Sequence, residues 1–115
     1  MATRVLVVDD DAGIRESLEE ALTDAGYEVV VAANGRQALG MLSPRPALML
    51  IDLMMPELDG WELLDELGRS ASLADIPVCV LSAIAKQAPP GAKAVLHKPI
   101  DLDVLLATVE RLTKT

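Results

Sequence analysis

The chain has 115 residues, 51% of them hydrophobic, and a formal net charge of −8. That length suits one domain with a real core and excludes two. The acidic balance argues against direct binding to nucleic acid or anionic lipid, where neutralising phosphates needs a basic face. Tyr27 and Trp61 are the only aromatics and Cys79 the only cysteine, so the core must be aliphatic and no disulfide framework can form. The first strand follows Met1 within a few residues, leaving no room for a signal peptide, and no apolar run approaches bilayer length. A soluble, cytoplasmic protein is expected, with no membrane insertion.

In chain order, five continuously apolar runs predict strands buried on both faces: Arg4 to Val8, Glu28 to Ala32, Ala47 to Ile51, Pro77 to Leu81 and Ala94 to His97. Between the first two, Ile14, Leu18, Ala21, Leu22 and Ala25 repeat at helical spacing, and Gly26 ends the helix. Asn34 with Gln37 predicts a capping box for a short helix through Met41, and Pro44 to Pro46 turn the chain into the third strand. A third helix is expected over Trp61 to Leu67. The last is capped by Asp101 and carries Leu102, Leu105, Leu106, Val109 and Leu112. Strand and helix alternate, which predicts an open α/β parallel sheet with its ligand site beyond the carboxyl ends of the strands.

Asp9, Asp10 and Asp11 follow strand one, Asp52 strand three, Ser82 strand four and Lys98 strand five, so all converge on one rim. Like charges a few Å apart repel unless a metal or a lysine sits among them. An aspartate can act as nucleophile toward a phosphoryl donor when a divalent cation neutralises the attacking and transferred oxygens. Mg²⁺, which takes a few carboxylates plus water and phosphate oxygens, fits that task. A hydroxyl at Ser82 and an ammonium at Lys98 could bind the remaining phosphoryl oxygens. Asp11 reads better as a helix cap, and His97, one position before Lys98, as a packing or surface residue facing away from the rim.

Four pieces resemble a known family, the receiver domain of two-component response regulators: Val7-Val8-Asp9-Asp10, Leu50-Ile51-Asp52-Leu53-Met54-Met55-Pro56 with Asp59-Gly60, Leu81-Ser82-Ala83, and Lys98-Pro99. The resemblance spans residues 1–115 as one receiver domain. It implies a flavodoxin-like, doubly wound five-stranded parallel sheet of order 2-1-3-4-5. It further implies that Asp52 accepts phosphate from a histidine kinase or phosphotransfer protein. Asp9, Asp10, Asp52 and the carbonyl of Met54 would hold Mg²⁺, Ser82 would take the switch-hydroxyl position, and a cis peptide would join Lys98 to Pro99. Gly60 would open the third helix. The domain would signal rather than turn over a substrate.

Two departures stand out. Only Ala83 to Lys93 connect strands four and five, and Pro89, Pro90 and Gly91 cannot be helix interior, so the family's fourth helix should shrink to one turn from Ile84 to Ala88 or vanish. Val95 stands where the family often has an aromatic three residues before the lysine. The shortened segment should leave apolar sheet surface open over strands four and five. That surface, with Val104 and Ala107, would then contact a downstream protein or a second copy. The rival reading is a degenerate receiver that binds partners independently of phosphorylation. A phosphohydrolase is disfavoured because Met54 occupies the position where such enzymes place a second acid.

Overall fold

The computed structural model of the chain describes residues 3–55, 59–85 and 87–114. Its elements are β1 (Arg4–Val8), α1 (Ala12–Asp24), β2 (Glu28–Ala32), α2 (Gly35–Leu39), β3 (Leu48–Asp52), α3 (Gly60–Gly68), β4 (Val78–Ser82), β5 (Ala94–His97) and α4 (Leu102–Thr113). All strands pair in parallel, in the order β2-β1-β3-β4-β5. This is the doubly wound flavodoxin-like order. The strand order reverses between β1 and β3, so the crevice at their carboxyl ends is where such a sheet accommodates a ligand.

Strand periodicity divides the core in two. Leu6, Val8, Met49, Ile51, Val78 and Val80 face a cluster completed by Ala38, Leu63 and Leu67 of α2 and α3. Their neighbours Val5, Val7, Leu48, Leu50, Cys79 and Leu81 face Leu18, Leu22, Leu105 and Val109 of α1 and α4. Because side chains alternate across a strand, continuous apolar runs give a sheet covered on both faces. Among the described residues no helix is long and apolar enough to cross a membrane.

Helix ends follow local chemistry. Asp11 caps α1, its carboxylate accepting from the Ile14 N–H. At the other end Gly26, at φ 99°, lets the Tyr27 N–H reach the Leu22 carbonyl while its own N–H reaches Thr23, a paired 6→1 and 5→2 closure. Asn34 caps α2, but Gln37 reaches past it to the Ala33 N–H. Asp59 and Glu62 form a reciprocal capping box at α3, and Asp101 caps α4.

Three expectations require correction. α2 ends at Leu39, with Gly40 as its C-cap, and so stops short of Met41. β3 and β4 each begin and end one residue later than the apolar runs suggest, because parallel pairing continues through Asp52 opposite Leu81 and Ser82 opposite His97. The sheet face over β4 is also not open: Val78 and Val80 are buried, packed with Leu64, Leu73, Ala85, Ala92 and Val95. The short connection covers that face without a helix, and none of the described residues of 83–93 is helical. Exposed apolar surface gathers instead at Met54, Trp61 and Ile84.

Candidate functional site

The three acids sit at different depths. Asp9 is wholly buried and Asp52 nearly so, whereas Asp10 is exposed. One carboxylate oxygen from each lies within 4.8 Å of the others. Asp9 Oδ1 accepts from the Asp11 N–H at 2.9 Å, and Asp52 Oδ1 from the Met54 N–H at 3.1 Å. Their remaining oxygens share one ammonium: Lys98 Nζ lies 3.2 Å from Asp9 Oδ2 and 3.2 Å from Asp52 Oδ2. The Asp9 Oδ2 contact is ionic only, with no donor in hydrogen-bonding geometry.

Electrostatics follow from burial and proximity. Desolvation raises the Asp52 carboxyl above the usual carboxylate range, and the charge of Asp9 pushes the same way; the Met54 N–H and Lys98 only partly offset this. For Lys98 burial works against the ammonium, but Asp9 and Asp52 outweigh it and raise its pKa. A second cation among these carboxylates would relieve the same repulsion. Hard oxygen donors, one of them buried and short of a hydrogen bond, fit a divalent ion such as Mg²⁺.

Ser82 is buried beside this group, its Oγ accepting from the N–H groups of Ile84 (3.1 Å) and Ala85 (2.9 Å). Both lone pairs are thereby engaged, and the hydroxyl proton remains free to donate toward an anion. The Lys98–Pro99 peptide is cis, as expected. Gly60 opens α3 against the end of β3. A Cβ there would lie 2.6 Å from both the Asp52 carbonyl oxygen and Leu53 Cα.

Asp9, Asp10, Asp52, Ser82 and Lys98 therefore share one rim, and Met54 borders it through its backbone. Pro56 and Glu57, on the loop that follows, lie outside the described residues. Sequence reasoning missed Arg15, whose guanidinium donates to the Asp9 carbonyl at 2.8 Å. Its position one helical turn past the aspartates was the available signal. Also missed was the contact of His97 Nε2 with the Ala85 carbonyl, 2.6 Å away, which no local pattern announces.

An apolar cleft of about 420 Å³ flanks the rim, lined by Leu53, Met54, Trp61, Ile84 and the Ala88–Pro90 stretch. Leu53 and Met54 follow Asp52 in the chain and Ile84 and Ala85 follow closely on Ser82, so the cleft borders the site.

Comparison with known proteins agrees with this geometry. The response regulator receiver domain family matches residues 5–110. The response regulator MprA of Mycolicibacterium vanbaalenii is 40% identical over 121 aligned positions, covering 99% of this chain and 52% of the relative. The same protein from Mycobacterium tuberculosis gives equal figures. The chain thus spans about half the length of the curated relatives it matches. The aligned span exceeds 115 residues, so these relatives carry residues that this chain lacks. Among solved structures, the chemotaxis response regulator CheY4 of Vibrio cholerae superposes with a TM-score of 0.88 at 31% identity, covering 97% of this chain and 99% of that one. The receiver domain of a signal transduction histidine kinase from Syntrophus aciditrophicus does so at 0.87 and 33%, covering 97% and 90%.

Proposed function

The chain belongs to the receiver domain family of response regulators, and from that premise we propose that it accepts a phosphoryl group onto Asp52 from a histidine kinase or phosphotransfer protein. One observation carries the reading: a nearly buried carboxylate shares an ammonium with a second buried acid at 3.2 Å, within reach of a third. A structural ion pair would need one acid for one lysine. Here the acids outnumber it.

In the proposed reaction an Asp52 carboxylate oxygen forms a bond to phosphorus while the bond from phosphorus to the donor nitrogen breaks, and the electron pair leaves with that nitrogen. The Met54 N–H holds Asp52 Oδ1 and fixes the carboxylate plane. Lys98, freed from Asp52 Oδ2 as that carboxylate becomes an acyl phosphate, pairs with a phosphoryl oxygen. Ser82 donates its hydroxyl proton to another. Asp9, Asp10, Asp52 and the Met54 carbonyl would hold Mg²⁺, which neutralises charge on the transferred oxygens when bound. The reaction belongs to signalling: the dephosphorylated donor leaves, and phosphate returns slowly to water.

The signal would leave by protein contact. The exposure of Ile84, at 74%, and Val104, at 51%, supports a contact surface on the connection and the outer side of α4, which would be offered to a downstream target or a second copy. Residues 1–115 would act as one receiver unit, in the cytoplasm with the kinase.

Intact mass after incubation with acetyl phosphate and Mg²⁺ tests the proposal. Wild-type protein should gain one phosphoryl group. Asp52→Asn, or wild type in EDTA, should gain none. An unmodified wild type would favour a phosphorylation-independent interaction module.

A further inference from the structure

The β4–β5 connection lacks a helix among its described residues, yet its first part is held at several points. Ser82 Oγ takes the amides of Ile84 and Ala85. The Ala85 carbonyl faces His97 Nε2 at 2.6 Å. A carbonyl only accepts, so this imidazole carries its proton on Nε2 and donates. His97 is also the register partner of Ser82, and the Lys98 N–H donates to the Ser82 carbonyl at 2.9 Å. A closed ring results, running from the Ser82 hydroxyl to Ala85, from Ala85 to His97, and back through the Lys98 backbone to Ser82. The ring contains the Ser82 hydroxyl and the backbone of Lys98, whose side chain carries the ammonium of the candidate site. Its outer arc, Ile84 and Ala85, walls the apolar cleft opposite Met54 and Trp61.

We propose that His97 is a positioning residue that latches the β4–β5 connection, so that displacement of the Ser82 hydroxyl is delivered to the cleft wall. In a helix, successive backbone bonds would carry such a displacement. Among the described residues of this connection, the next anchor after Ala85 is the turn from Pro89 to Ala92, followed by the Lys93 N–H on the Val78 carbonyl. The imidazole therefore decides whether Ile84 and Ala85 move as one body with β5 or slip against it. The latch stands on the hydrogen-bond ring alone. Only its trigger, a phosphoryl group on Asp52 that draws on the Ser82 hydroxyl, rests on the function proposed above.

Trp61, the only tryptophan and 49% exposed, lines the cleft and reports its shape. The experiment compares wild type, His97→Ala and His97→Gln, whose amide can still donate to the Ala85 carbonyl. It reads acrylamide quenching and Trp61 emission, before and after acetyl phosphate with Mg²⁺, alongside intact mass. Loss of one hydrogen bond that holds a loop should raise the quenching constant of His97→Ala roughly two-fold. It should also abolish the emission change on phosphorylation while Asp52 still gains mass. His97→Gln should restore both. Wild-type quenching and response in His97→Ala, or no rescue by His97→Gln, would overturn the latch. If the wild type gained no mass, the phosphoacceptor reading would fail, and the quenching comparison alone would decide the latch.

Discussion

At Gly60 the absence of a side chain brings α3 against the phosphoacceptor strand. Its N–H donates to the Leu53 carbonyl at 3.1 Å, and the atoms a Cβ would strike belong to backbone, which cannot swing aside. Gly60→Ala should therefore cost about 1–3 kcal/mol, as overpacking does, read as a lower urea midpoint. The sequence marked Gly60 only through its resemblance to a family motif, since close approach between elements leaves no local pattern. Cys79 was legible outright, a thiol within an apolar run that faces the α1 and α4 side of the core. Burial pushes it up to about 12 from 9.0, with Arg111 opposing weakly. A thiol pKa raised by folding contributes stability below the unfolded value and loses it as pH rises, so stability should fall across the window from 9.0 to about 12. Near neutral pH the thiol should resist an aromatic disulfide reagent until urea unfolds the chain.

At the scale of elements, what can be read locally was read. Apolar runs marked every strand, and the caps at Asp11, Asn34 and Asp101 marked helix starts. Strand ends were less legible because pairing, not composition, extends β3 and β4 through the polar Asp52 and Ser82. The connection after β4 was half legible: Pro89-Pro90-Gly91 forbids a helix, but nothing local says that Ala85 and Ala92 pack inward and cover β4. The capping box of α3 gives a prediction at this scale. Asp59 accepts from the Glu62 N–H at 2.9 Å, and Glu62 returns the bond to the Asp59 N–H at 3.1 Å. Asp59→Ala should cost about 1 kcal/mol in chemical denaturation, with Glu62→Ala costing less because the Asp59 bond survives. An Asp59→Ala midpoint equal to wild type would mean that tertiary packing alone holds the start of α3.

At the scale of the molecule, the candidate site belongs to no single element: β1, β3, β4 and β5 each contribute one part of it. Four polar groups at four strand ends were therefore readable as one rim, because a parallel sheet brings those ends together whatever the loops do. The share of Lys98 between Asp9 and Asp52 was not readable, since it depends on side-chain direction. That sharing does not fully offset the cost of burying Asp52. Buried Asp52 is raised by desolvation and by Asp9, so its ionised form opposes folding at neutral pH, more strongly in a chain already at −8. Asp52→Asn should thus have a higher urea midpoint than wild type in EDTA. Mg²⁺ should stabilise the wild type by about 1.4 kcal/mol at ten times its dissociation constant, through mass action on the folded state. The gap between the two proteins should therefore narrow as Mg²⁺ is added. Asp9→Asn combined with Asp52→Asn should show almost no response to the ion. A wild type already as stable as Asp52→Asn in EDTA would mean that Lys98 alone balances both acids. The site would then be a settled ion-pair network with no electrostatic demand for a cation.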